Sequence, residues 1–246
     1  MSKFFVNSNQ IKDNKAILVG ENANHIKNVL RMKEDDELSI SDENGKTYIC
    51  NIQEIEQDKV ACNVLKEDLN NVETICSLEI FQGLPKADKL EHIIQKCTEL
   101  GVKEITPVAM KRCVVKLDKK SEVAKVRRWQ KIAESASKQS NRNAVAKINN
   151  PISMQNLVDK AKEYDILIVP YEKETKTKLK TVLQNFTKKT NKIGVVIGPE
   201  GGFEEQEIKA LEEAGGKIVT LGSRILRTET VATVIASIVL YELDEM

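Results

Sequence analysis

The run Ile193-Gly194-Val195-Val196-Ile197-Gly198-Pro199-Glu200-Gly201-Gly202-Phe203 has the make-up of a buried strand passing into a glycine-rich loop, and a helix-forming stretch follows it directly. Loops of this kind often hold phosphate, because glycine lets the backbone approach a ligand closely and the free N–H groups of a helix start attract anions. Glu204, Glu205 and Glu207 open the helix in this chain. They suit the positive end of a helix dipole but would repel a pyrophosphate placed there. Gly198, Gly201 and Gly202 do not spell the GxGxxG of a dinucleotide-binding turn, and no Gly-Lys-Ser/Thr follows as in a P-loop. A ligand without phosphates is favoured. S-adenosylmethionine qualifies, with an adenine, a ribose and a sulfonium cation that backbone carbonyls and a carboxylate such as Glu200 would accept. A strand-to-helix turn needing glycine only for sterics explains one or two of these glycines, but not Pro-Glu-Gly-Gly.

The second stretch with chemical character is Leu221-Gly222-Ser223-Arg224-Ile225-Leu226-Arg227-Thr228-Glu229-Thr230, between the last strand and the last helix. In an open parallel sheet the loops at the carboxyl ends of neighbouring strands form the ligand crevice, and both stretches leave strands at that edge. Thr228 suits the cap of the last helix. Arg227 falls beside the crevice, whereas Arg224 reads equally well as a solvated loop residue.

The elements needed to position these loops are visible from residue 78 onward, where short apolar runs alternate with helical stretches in an α/β rhythm. Strands are expected at 78–83, 105–109, 165–170, 193–197 and 217–221. Helices are expected at 88–100, 122–142, 153–163, 177–186, 204–214 and 228–243. The first 70 residues differ. Apolar runs at 4–6, 16–19, 37–40, 47–55 and 60–65, separated by turn residues, predict a small β-barrel. Asp42-Glu43-Asn44-Gly45 carries the Asn-Gly pair that supplies the positive φ angles of a tight hairpin. One short helix over 22–32, with Ile26, Val29 and Leu30 on a common face, is expected to pack on the barrel. The polar stretch 67–74 reads as the linker.

The 246 residues suffice for two domains. No apolar run reaches membrane-spanning length, and the start Met1-Ser2-Lys3-Phe4-Phe5-Val6 reads as a strand rather than a signal peptide, so a cytoplasmic protein is expected. Cys50, Cys62, Cys76, Cys97 and Cys113 are odd in number and never form CxxC, which disfavours disulfides and zinc and predicts small core residues. His25 and His92 stand alone, and no metal is expected. The net charge of +1 hides an asymmetry. Residues 1–72 hold nine Lys/Arg against thirteen Asp/Glu, and residues 103–147 hold thirteen against four. The second segment is a candidate polyanion surface or, equally, a solvated helix face.

Taken with Lys3 to Val6, His25 to Arg31, Lys96 to Val102, and Glu134 with Gln139, Ser140 and Arg142, the two crevice stretches resemble the SPOUT class of methyltransferases, in particular the RsmE family. The resemblance spans nearly the whole chain. It implies a PUA-like β-barrel RNA-binding domain over 1–72, followed over 73–246 by an α/β SPOUT methyltransferase domain with a mostly parallel sheet and a trefoil knot. It also implies S-adenosylmethionine as cofactor, N3 of a uridine in 16S ribosomal RNA or the small ribosomal subunit as target, a homodimer, and a role in rRNA processing and ribosome biogenesis. By this resemblance, Pro170, Gly198, Pro199, Glu200, Gly201, Leu221, Gly222, Ile225 and Leu226 would hold the cofactor, and Arg227 and Glu229 would be catalytic. Lys3, Arg31, Arg112, Arg127, Arg128 and Arg142 would hold RNA. The acidic balance of the first domain shifts the expected phosphate contact to the basic helix at 122–142. Two alternatives stay open: a non-catalytic RNA-binding protein, and a SPOUT enzyme acting on another RNA nucleotide.

Overall fold

The computed structural model describes residues 1–184 and 192–246. Contacts divide the chain into two units, residues 1–73 with 137–145, and residues 74–136 with 146–246.

The first unit is built on a six-stranded sheet. Its strands are β1 (Ser2–Phe5), β2 (Ile11–Lys12), β3 (Lys15–Val19), β4 (Glu37–Ser41), β5 (Thr47–Ile55) and β6 (Lys59–Asp68), in the order β1-β4-β5-β6-β3-β2. Only β1 and β4 pair parallel. Alternate residues point inward, as Ala16 and Leu18 do on β3, and with Phe4, Leu38, Ile40, Cys50, Ile52, Val60 and Cys62 they form the core. The β4–β5 connection is a hairpin, but only Gly45 takes a positive φ. The Asp42 carboxylate shapes the turn instead, accepting from the Asn44 and Lys46 amides at 2.9 and 3.0 Å.

The expected helix over 22–32 is two pieces, α1 (Glu21–Asn24) and a π-helical turn, His25–Leu30, that ends at Arg31 in the left-handed region (φ +53°). The wider turn rotates each residue less than an α-helix does, so the expected common face breaks up. Ile26 is buried while Val29 is 61% exposed.

Residues 137–145 complete this unit from the middle of the chain. The Glu73 carboxylate accepts from Arg142 Nη2 at 2.6 Å and from the Asn143 amide at 2.9 Å. Asn143 Nδ2 donates to Thr47 Oγ1 at 2.8 Å, and Lys3 Nζ donates to the Asn141 carbonyl at 3.1 Å.

The second unit carries seven strands: β7 (Ser77–Gly83), β8 (Glu104–Ala109), β9 (Lys147–Ile148), β10 (Ile152–Ser153), β11 (Ile166–Pro170), β12 (Lys192–Ile197) and β13 (Lys217–Val219). They run β10-β8-β7-β12-β11-β13, with β9 also against β8, and every pair is parallel. A parallel sheet needs cover on both faces, which explains the near-continuous burial of Leu78, Ile80 and Phe81 on β7 and of Ile193 to Ile197 on β12. The connecting helices are α2 (Lys89–Glu99), α3 (Lys119–Gln139), α4 (Met154–Lys160), α5 (Leu179–Leu183), α6 (Glu205–Glu213) and α7 (Thr228–Glu242). α3 stops before the expected Arg142, at a turn where Asn141 takes φ +59°. Of the helix expected at 177–186, residues 185 and 186 lie outside the described residues. The two-residue strands β9 and β10 are too short to leave a periodic signal. Among the described residues no helix is long and apolar enough to cross a membrane.

Candidate active site

Strands β11, β12 and β13 end side by side at Pro170, Ile197 and Val219. The segments that leave them wall a crevice of about 600 Å³, within the roughly 300–1,000 Å³ of small-molecule sites. Tyr171 and Glu172 follow β11, Gly198 to Phe203 follow β12, and Thr220 to Arg227 follow β13. The crevice brings together all nine residues expected to hold a cofactor, with Arg227 on the same wall.

The two loops are tied to each other and to the sheet by buried polar contacts. Thr228 is the first residue of α7 rather than its cap: Arg227 takes the extended cap conformation (φ −67°, ψ 151°), and no side chain caps the helix. The Thr228 hydroxyl instead donates to the Gly198 carbonyl at 2.7 Å and accepts from Gln82 Nε2 at 2.9 Å. Gln82 is fully buried near the end of β7, and its Nε2 also donates to the Gly83 carbonyl at 2.9 Å. Gly83 makes room for the first loop, since a Cβ there would lie 2.7 Å from Pro199 Cδ. Gly222, at φ +114°, holds the second loop in a region other residues avoid.

At the start of α6 the acids act on their own helix. Glu207 is buried and accepts from the Lys111 and Glu204 amides at 2.8 and 2.9 Å. Arg112 Nε reaches Glu204 at 2.8 Å, and Nη1 donates to the Gly201 carbonyl at 3.0 Å. Arg112 therefore fastens the glycine loop, and its charge, expected to meet RNA, is already met by Glu204.

Glu200 lies 3.2 Å from Lys89 Nζ and accepts from the Lys86 amide at 3.1 Å. Burial pushes its carboxyl upward, but the amides of Glu200 and Lys86 and the Lys89 ammonium outweigh this and hold it below the ordinary carboxylate range. Glu229 is absent from the crevice wall. Its carboxylate turns to the other side of Lys89, at 3.3 Å. Among the described residues the Arg227 guanidinium is exposed and has no ion-pair partner.

The expected RNA contacts divide. Arg31, Arg127 and Arg128 are exposed, Arg128 pairing with Glu91 at 2.8 Å. Arg142 and Lys3 must be reassigned, because they are only 4% and 7% exposed and are spent on Glu73 and on the Asn141 carbonyl. A side chain that deep cannot reach a phosphate. Three contributors left weak sequence signals. Gln82 is a polar residue near the end of an apolar strand, Gly83 follows it, and Lys89 stands at the start of a helix, where a cation opposes the dipole.

Residues 72–240 match the RNA methyltransferase domain profile, and residues 18–65 match that of the RNA methyltransferase PUA domain. The chain is 38% identical over 231 residues to the ribosomal RNA small subunit methyltransferase E of Bacillus subtilis, covering 92% of this chain and 90% of that protein. The ribosomal RNA small subunit methyltransferase E of Neisseria gonorrhoeae, solved bound to S-adenosylmethionine, is 29% identical, with a TM-score of 0.85 over 98% of this chain and 97% of that one. A Legionella pneumophila putative methyltransferase, solved with its cofactor S-adenosylmethionine, is 27% identical, with a TM-score of 0.86 over 97% and 96%.

Proposed function

Since this chain belongs to the RNA methyltransferase family that includes the ribosomal RNA small subunit methyltransferase E proteins, we propose that it transfers a methyl group from S-adenosylmethionine to N3 of a uridine in 16S ribosomal RNA. The observation that carries this reading is the crevice, whose walls are two glycine-bearing loops with the carboxylates of Glu172 and Glu200 among them and which so suits a cationic, phosphate-free ligand. The bound cofactor supplies an electrophilic methyl on a sulfonium. With the N3 proton passed to solvent water, the N3 lone pair would accept the methyl group as its bond to sulfur breaks, and the neutral thioether S-adenosylhomocysteine would leave.

The negative charge on the deprotonated uracil spreads to its carbonyl oxygens. The Arg227 guanidinium, without an ion-pair partner among the described residues, donates to one of them. Glu229 faces Lys89 rather than the crevice and takes no direct part in the transfer. Arg31, Arg127 and Arg128 supply phosphate contact. The unit of residues 1–73 with 137–145, rather than 1–72 alone, is the PUA-like part that helps hold RNA, and residues 74–136 with 146–246 form the methyl-transferring part. The trefoil knot belongs to the same proposal, supported by the order β12-β11-β13 and by the return of α7 onto α2. So do the cytoplasmic location that the substrate requires and a homodimer, supported by Ile238 and Tyr241 exposed on α7.

The test is incubation of the purified protein with S-adenosylmethionine and unmodified small ribosomal subunits, followed by reverse transcription. A methyl on the Watson–Crick edge blocks extension, so a stop at one uridine is expected. Methyl incorporation without a stop would overturn the N3 position, and no incorporation would overturn the activity.

A further inference from the structure

Lys89 opens α2, Glu200 lies in the loop after β12, and Glu229 is the second residue of α7. Three separate elements thus set two carboxylates against one ammonium, at 3.2 and 3.3 Å. Lys89 needs only Glu200 as a counterion. Glu229 adds a second negative charge at a side chain just 18% exposed, and its buried Oε2 has no aligned hydrogen-bond donor. A carboxylate in such a place costs desolvation that an uncharged residue would not. Its contribution is charge: the cluster carries a net −1, and two of its three members line the crevice.

We propose that Lys89, Glu200 and Glu229 act as a charge discriminator that favours the sulfonium of the methyl donor over the neutral thioether product, so that the spent cofactor is released. This inference rests on the S-adenosylmethionine reading of the crevice. Donor and product differ by one methyl group and one positive charge, so shape alone separates them poorly, whereas a net negative cluster acts on the charge directly. At an effective dielectric constant of about 20–40 and a separation of about 10 Å, one unit of charge changes an affinity about fourfold to sixteenfold.

Calorimetry of the full-length protein at pH 8, with S-adenosylmethionine and S-adenosylhomocysteine titrated separately, tests the idea. Glu229→Gln keeps the shape and brings the cluster to zero, and the donor-to-product affinity ratio should fall about fourfold to sixteenfold. Lys89→Met takes the cluster to −2 and should raise the ratio. A purely structural role for these residues weakens both ligands in parallel and leaves the ratio unchanged. An unchanged ratio in both variants overturns the proposal, and if one variant fails to fold, an unchanged ratio in the other does so. A wild-type protein that binds neither ligand removes the underlying S-adenosylmethionine reading, an outcome separate from an unchanged ratio.

Discussion

The hydroxyl of Thr228 donates to the carbonyl of Gly198 at 2.7 Å, joining the first residue of α7 to the first loop residue after β12, thirty positions earlier in the chain. Through this bond the two loops of the crevice keep a fixed spacing, and Gln82 supports it from β7 by donating to the same hydroxyl. Thr228 and Gln82 are both buried, so solvent does not readily replace a partner that either side chain loses.

Thr228→Val removes the hydroxyl at nearly constant volume, taking the 2.7 Å donor from the Gly198 carbonyl and one of the acceptors from the Gln82 amide. A loss of about 1–3 kcal/mol is expected, read as a fall in Tm of about 2–4 °C per kcal/mol. Affinity for S-adenosylmethionine should fall with it. Unchanged melting and unchanged binding would show that the clasp does not organise the crevice.

Arg227→Ala should lower kcat about 100-fold or more, the scale of losing one preorganised electrostatic donor, while affinity for S-adenosylmethionine changes by less than about twofold. Single-turnover methyl transfer together with cofactor titration separates the two effects. A fully active variant would remove Arg227 from the chemistry.

Arg127 and Arg128 are exposed while Arg142 is buried against Glu73, so the three should no longer behave as one group. Removing the first two is expected to weaken binding to 16S rRNA and flatten its dependence on salt. The change Arg142→Met should leave the salt slope near that of the wild type and instead destabilise the first unit by about 3–5 kcal/mol, because it leaves a buried carboxylate unpaired. Equal loss of salt slope in both variants would count against this division.

The Glu73–Arg142 pair also predicts a pH response. Burial pushes the Glu73 carboxyl up, but the Arg142 guanidinium and the Ala144 and Asn143 amides more than offset this, so its pKa in the folded chain is depressed. The stabilisation is fully present above the ordinary glutamate pKa and is lost as the pH falls through the lower, folded value. Tm should therefore drop as the pH is taken from about 5 to about 3, and less steeply in Glu73→Gln. Parallel curves would show that the pair contributes nothing to acid sensitivity.

Light scattering at micromolar concentration should give twice the chain mass of 27.6 kDa. A single species at the chain mass would remove the homodimer and any site completed by a partner.

The strand order of β7, β8, β11, β12 and β13 along the chain, the helices between them and the place of both crevice loops were legible in the sequence. Each rests on a local cause: an apolar run of strand length, a helical repeat, a glycine where the chain must turn. Local pattern also fixed the ligand class, through glycines that admit a close approach and acids that exclude phosphate.

Tertiary structure decided where individual side chains spend their hydrogen bonds and charges. Arg142 and Arg127 are the same residue type in one basic stretch, yet burial against Glu73 makes the first a fastening and leaves the second free for a partner. Thr228 has the right chemistry for a helix cap, and only the folded sheet brings the Gly198 carbonyl close enough to claim its hydroxyl. Lys89 lies more than a hundred residues from Glu200 and Glu229, and Gln82 is as far from Thr228. Pairings at such separations depend on how strands are ordered in the sheet, and periodicity along a chain carries no information about that order.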